Sequence, residues 1–256
     1  MSQPTFVHLR IHSEYSLIDS VVRIRPLVTR AQALGFPALA LTDEGNVSAM
    51  VKFFRAAVEA GIKPVIGADV LVEAEAGDRP PSRLGLLCTS EAGFRQLSRL
   101  LTRSHVGGHD NTHSLIRREW LKPEDLDQLI ALSGAEAGAI GQALAHGHPD
   151  AAARHAEEYA RCFPNRFYVE LSRLGRPGEA TYIDEAVRLA ASQRLPVVAT
   201  NDVRFTTAEE FEAHEARVCI STGRTLGDAD RPRDYTEAQF LKSPEEMGEL
   251  FRDLPE

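Results

Sequence analysis

Short apolar runs separated by longer amphipathic stretches set the rhythm of this chain. "FVHL" (6–9), "ALAL" (38–41), "KPVIGADVLV" (63–72), "LGLLC" (84–88), "LIALS" (129–133), "FYVEL" (167–171) and "PVVAT" (196–200) are short and alternate only weakly, which predicts strands buried on both faces. Between most of them the spacing lengthens to that of a helix. "IRPLVTRAQALG" (24–35) stops at Gly35, with Pro37 beyond it, and "EATYIDEAVRLAASQR" (179–194) repeats the pattern. Strand and helix alternate about seven times, which predicts a parallel sheet, either closed as a β/α barrel or open and doubly wound.

The polar positions favour the barrel. They follow the apolar runs regularly: Arg10, His12 and Asp19; "TDEGN" (42–46); Asp69; "SG" (133–134); "ELSR" (170–173); "TNDVR" (200–204). In a β/α barrel the C-terminal ends of the strands converge on one mouth, whereas an open sheet spreads them along an edge. Past Arg204 the pattern changes to a helix over 208–221, a charged, proline-bearing segment over 228–240, and a closing helix over 243–251 with Ser243 as N-cap and Pro244 at its first position. The reading is one domain over 1–256, with 206–256 a helical C-terminal extension. Its stop at "RDLPE" reads as a cut in a longer protein.

Composition narrows the function classes. The net charge of -8 and the acidic balance of residues 224–256 do not suit direct binding to a phosphate backbone, so a link to DNA is expected only through other parts or partners. The N-terminus lacks a signal-peptide pattern and no run is long enough for a membrane helix, so the expected location is cytoplasmic. Cys88, Cys162 and Cys219 form no CxxC pair and suit a reducing compartment. No GxSxG, Walker or GxGxxG motif occurs.

The candidate chemistry lies in the mouth. In a strand, steps of two share a face, so His8, Arg10 and His12 are expected to project together. His12, Asp19, Asp43, Glu44, Asp69 and Asp202 would gather there with Arg10, Arg83 and Arg204. Imidazole and carboxylates are metal ligands, but an arginine is always charged and cannot ligate. Taken alone, Asp43 reads as a cap of the helix after "TDEGN". His105, His109 and His113 are spaced as one helical face, but the glycines, Asp110 and Asn111 among them favour a flexible loop, and His146 and His148 read as a helix end.

"FVHLRIHSEYSLID", "ALALTDEGN", "GIKPVIGADV", "LIALSG", "FYVEL", "LPVVATNDVRF" and "AHEARVCISTG" together resemble, in this order and over nearly the whole chain, the N-terminal polymerase and histidinol phosphatase (PHP) domain of the α subunit of bacterial replicative DNA polymerase III, in its proteobacterial form. The resemblance implies a distorted, TIM-like (β/α)7 barrel whose mouth, in intact members, holds up to three metals and supports phosphoester hydrolysis. His12, Asp19 and Asp202 match ligand positions. Asp69 stands where glutamate is usual, and Glu44 where "TDHGN" would have histidine. Arg10, Arg83, Ala135 and Arg204 stand at positions of histidine, histidine, cysteine and histidine, and none of the four can ligate.

The resemblance therefore implies a degenerate metal site with no catalytic residues and no cofactor of its own. The domain is expected to support the polymerase part of the α chain, which would use Mg²⁺ for nucleotidyl transfer, and to dock the proofreading 3′–5′ exonuclease (ε) subunit. The rival expectations are a residual phosphoesterase or pyrophosphatase holding Zn or Mn weakly, and a binder of small anions through Arg10, Arg83 and Arg204.

Overall fold

Among the described residues seven strands and eight helices follow one another; six of the strands fall on the predicted apolar runs, the two-residue strand at 115–116 falls on none, and the run at 6–9 forms no regular strand. A computed structural model describes residues 6–74, 80–108, 114–231 and 233–254. The strands are β1 (Ala38–Leu41), β2 (Lys63–Val72), β3 (Ser82–Cys88), β4 (Leu115–Ile116), β5 (Leu129–Leu132), β6 (Phe167–Ser172) and β7 (Val197–Thr200). The helices are α1 (Ile24–Ala33), α2 (Met50–Glu59), α3 (Glu91–Gly107), α4 (Ala139–Ala145), α5 (Pro149–Cys162), α6 (Glu179–Gln193), α7 (Phe211–Thr222) and α8 (Pro244–Leu250). Local chemistry places the ends: Gly35 takes a left-handed φ of 74° just after α1, and Ser243 caps α8 through a capping box with Pro244 in the first turn.

The ladder runs β1-β2-β3-β5-β6-β7, with the two-residue β4 against β2. The expectation of a wholly parallel sheet fails at β3, which is antiparallel to both β2 and β5. The reason lies in its connection: the 73–81 link between β2 and β3 is shorter than the roughly dozen residues a parallel crossover needs, and a short link returns the chain antiparallel. The 6–9 run also fails as a regular strand. It lies in an extended segment, residues 8–12, that fits between β1 and the chain after β7. Ala40 and Thr42 donate to the carbonyls of His8 and Ile11 on one side; His12 donates to Val203 and Val203 to Arg10 on the other.

The regular ladder is thus a curled, open sheet of the distorted TIM-like kind, and an irregular seam spans its gap. Inside the curl, Ala40, Leu87 and Leu132 pack with side chains from the remaining long strands. Outside it, α1 and α2 bury Leu27, Val28, Phe53 and Ala57 against β1, while α3 to α6 cover β2 to β6. Met247 and Phe251 of the C-terminal extension join that second cluster. Among the described residues, no helix is long and apolar enough to cross a membrane.

Candidate functional site

Arg10, His12, Asp19, Glu44, Asp69, Arg83, Ala135, Asp202 and Arg204 all meet at the mouth of the curl. The seam brings Arg10 and His12; the 13–19 loop brings Asp19; β2 and β3 bring Asp69 and Arg83; the segment after β7 brings Asp202 and Arg204. Register makes room as well as contact. Asp69 faces Gly85 across the β2–β3 ladder, and a Cβ at Gly85 would stand 3.4 Å from the Asp69 carboxylate.

His8 does not join them, because the seam is not a regular strand. Its ring lies against Phe6 and Phe36, and Nε2 donates to the Lys242 carbonyl at 2.8 Å. Asp43 does not cap α2. Its carboxylate accepts from the backbone N–H and hydroxyl of Ser13 and from the Ser16 hydroxyl, fixing the loop that carries Asp19. His105 belongs to α3, which runs helically through Gly107 where a flexible loop was expected. His109 and His113, with Asp110 and Asn111, lie outside the described residues. His146 ends α4 and His148 precedes α5, as read from the sequence.

The mouth is an ion-pair network. Arg10 reaches Asp69 at 2.8 Å, Glu170 at 3.3 Å and Asp202 at 3.4 Å. Arg83 reaches Glu44 at 2.7 Å and Asp69 at 3.5 Å. Arg204, 1% exposed and among the largest wholly buried side chains, pairs with Asp202 at 2.6 Å and with Asp19. His12 Nε2 lies 2.9 Å from Asp69, and Nδ1 lies 2.5 Å from Asp19 and also against the Arg204 guanidinium; the two carboxylates favour a second ring proton. Burial and the adjacent Arg204 oppose that second proton, but the carboxylates outweigh them and raise the His12 pKa. Burial alone would raise the carboxylates; instead Arg204 holds Asp19 and Asp202, and Arg10 holds Asp69, below the usual carboxylate range.

Sequence reasoning left three members out of the candidate set, although Glu170 stood in its polar "ELSR" stretch. Glu170, fully buried in β6, takes Arg10, the Thr200 hydroxyl at 2.6 Å and the Gly134 N–H at 3.0 Å. A glutamate inside the apolar run "FYVEL" was the available signal, since a buried carboxylate needs compensation. The C-terminal extension supplies Tyr235, whose hydroxyl donates to Asp19, and Gln239, which donates to Asp202 at 3.0 Å. No periodicity announces those two.

A metal would find a poor donor set. His12, Asp19 and Glu44 offer ligand atoms within 4.8 Å of one another. Yet both nitrogens of His12 are already engaged, Nδ1 by Asp19 and Arg204 and Nε2 by Asp69, while Asp19 is held by Arg204 and Glu44 by Arg83. Ala135 lines the cavity of about 160 Å³ at the mouth with a methyl group only. The residues present do not fit a two- or three-metal centre, whose ligands must be deprotonated and free.

Comparison with known proteins agrees with this geometry. A family model described as the PHP domain matches residues 8–174. The chain is 48% identical over 252 residues, 98% of its length, to a DNA polymerase III subunit alpha of Pseudomonas aeruginosa, and 44% identical over all 256 residues to that of Escherichia coli K12. It spans about a fifth of the length of these curated relatives, 21% and 22%. Among solved structures, an amidohydrolase from Chromobacterium violaceum, with bound sulfate and no metal, shares the fold with a TM-score of 0.54 at 15% identity, over 82% of this chain and 96% of that one. The chain therefore belongs to the PHP domain family, in the form found in the N-terminal region of DNA polymerase III α subunits, with an incomplete metal-binding set.

Proposed function

We propose that this domain is a non-catalytic module of a cytoplasmic replicative polymerase. It supports the polymerase part of a longer α chain, which performs DNA synthesis with Mg²⁺, and it docks the proofreading 3′–5′ exonuclease (ε) subunit, touching DNA only indirectly. The observation that carries the reading is that Asp19, Glu44, Asp69, Glu170 and Asp202 are each paired with Arg10, Arg83 or Arg204. Where relatives with an intact site would place metal charge, this chain has fixed guanidinium charge, which neutralises carboxylates and joins strand ends but cannot activate water. The nine mouth positions act as structural positions in this reading, with no catalytic residue among them.

Residues 1–256 form one unit here, with 206–256 as the extension leading toward the polymerase part. Support comes from Tyr235 and Gln239 bonding into the mouth and from Met247 and Phe251 entering the core. Two measurements test the proposal. The immobilised chain should retain the exonuclease subunit, and the purified chain should carry no stoichiometric zinc or manganese. Failure to retain the subunit moves its docking site elsewhere.

The partial set of His12, Asp19 and Glu44 favours one alternative, a residual phosphoesterase or pyrophosphatase with weakly held Zn or Mn. Turnover of p-nitrophenyl phosphate or pyrophosphate with added manganese or zinc, abolished by Asp202→Asn, would establish it in place of the inactive reading.

A further inference from the structure

Away from the mouth, α3 and the turn at 118–120 enclose an apolar groove of about 510 Å³ lined by Arg99, Thr102, Arg103, Val106 and Trp120. The sequence makes this face by spacing: Arg95, Arg99 and Arg103 recur every four residues on α3, and Arg117 approaches from the following segment. Arg95 pairs with Glu91 within the helix. Among the described residues, no carboxylate pairs with Arg99, Arg103 or Arg117, in a protein whose net charge is -8. Val106 is 76% exposed beside them.

We propose that this groove binds an acidic amphipathic helix of a partner protein. The apolar stripe of such a helix covers Val106 above the nearly buried Trp120 that floors the groove, and its carboxylates pair with Arg99, Arg103 and Arg117. Charge complementarity selects this occupant over a neutral or basic one. A nucleic-acid strand fits less well. Binding through base stacking needs a free ring face, and the Arg103 guanidinium already lies 4.2 Å from the Trp120 centroid, with that of Arg117 at 5.6 Å. The inference does not rest on the exonuclease reading, since the charge and shape of this groove alone carry it and its test uses a synthetic peptide.

Trp120 is the only tryptophan and lines this groove, so its emission gives a single-site signal there. The probe is a synthetic helix of about 14 residues with leucine at i, i+3, i+4 and i+7 and glutamate elsewhere, compared with the same peptide carrying lysine for glutamate. The glutamate peptide should change the Trp120 emission saturably and the lysine peptide should not. Arg99→Glu with Arg103→Glu should weaken binding by about tenfold or more, as should raising the salt to about 0.5 M. Both positions are exposed, and unchanged circular dichroism and melting of the double variant would show an intact fold; Val106→Asp gives a second, charge-independent test of the same groove. Equal binding of the two peptides, no saturable change, or full binding by the arginine variant would overturn the proposal. So would a salt-sensitive response to a single-stranded oligothymidylate with none to the glutamate peptide, which would assign the face to nucleic acid.

Discussion

Replacing Arg204 by methionine keeps most of the side-chain volume and removes one charge from the centre of the network. The guanidinium holds Asp202 at 2.6 Å and Asp19 more closely, and both carboxylates are nearly buried. At a charge separation of about 4 Å and an effective dielectric of about 20, each pair contributes about 4 kcal/mol of attraction. Removing the arginine also removes its own desolvation cost, so the net loss falls to about 3–5 kcal/mol, the usual cost of leaving one side of a buried pair uncompensated. For a chain of this size that lowers the melting temperature by about 10 °C.

The deficit has a pH signature with a definite sign. Asp19 and Asp202 have folded pKa values below their unfolded ones, so in the wild type their contribution is present above the unfolded carboxylate range near pH 4 and is lost as the pH falls toward the folded values. Without Arg204 the two groups lose their main cause of depression and accept protons at higher pH. The difference between wild type and Arg204→Met should therefore be largest at pH 7 and shrink toward pH 4. Urea unfolding at pH 7, 5.5 and 4 measures it. A variant within about 1 kcal/mol of wild type at pH 7, or a deficit that does not change with pH, would refute the argument.

Glu170→Gln should destabilise by about 2–3 kcal/mol, because an amide turns one donor toward Arg10, Thr200 or Gly134, all of which are donating to that side chain; thermal melts check this. His8 is held neutral by burial, its pKa lowered to about 4, so the unfolded chain takes its proton first and stability falls by up to about 3 kcal/mol as the pH drops from about 6.5 to 4. His8→Phe should remove that slope in urea midpoints, and an unchanged slope would assign it to other groups. Arg10→His, Arg83→His, Ala135→Cys and Arg204→His combined should give a chain that binds Zn or Mn in calorimetry where the wild type does not; a wild type that binds as tightly would contradict the reading of the site.

The fold was largely legible because its strands are buried on both faces and its helices on one, so each leaves a strong local signature. β1 and β2 coincide with the runs 38–41 and 63–72, and the cap of α8 was readable from "SP" alone. What escaped depends on contacts between distant segments. The direction of β3 follows from the shortness of the 73–81 link, a fact about a connection that the apolar rhythm does not carry. His8 has the spacing of a mouth residue but belongs to an irregular seam, and the pleat that would aim it there is absent. Most of the mouth positions were found because polar residues near strand ends converge in this fold, and Ala135 was singled out only by the family resemblance. Glu170, by contrast, stood in the polar "ELSR" stretch without being assigned to the mouth, and Tyr235 and Gln239 come from a segment with no period at all.

The place of the network within the sheet explains why apolar side chains would be a poor substitute. Replacing a buried ion pair by hydrocarbon often costs nothing in stability, so the pairs need a reason beyond stability alone. Ladder bonds fix β2 against β3 over six residue pairs, but no regular ladder joins β7 to β1; there the seam makes its few bonds to each side. Arg10 and His12 lie in that seam, Asp202 and Arg204 on one side of it, and Asp69 on the other, so their pairs cross the gap where backbone register is weakest. Hydrocarbon contacts are not directional and would tolerate a slipped seam, whereas a guanidinium held by carboxylates on both sides would not. Arg10, with Asp69 on one side and Asp202 on the other, therefore sets the register in which the curl is held.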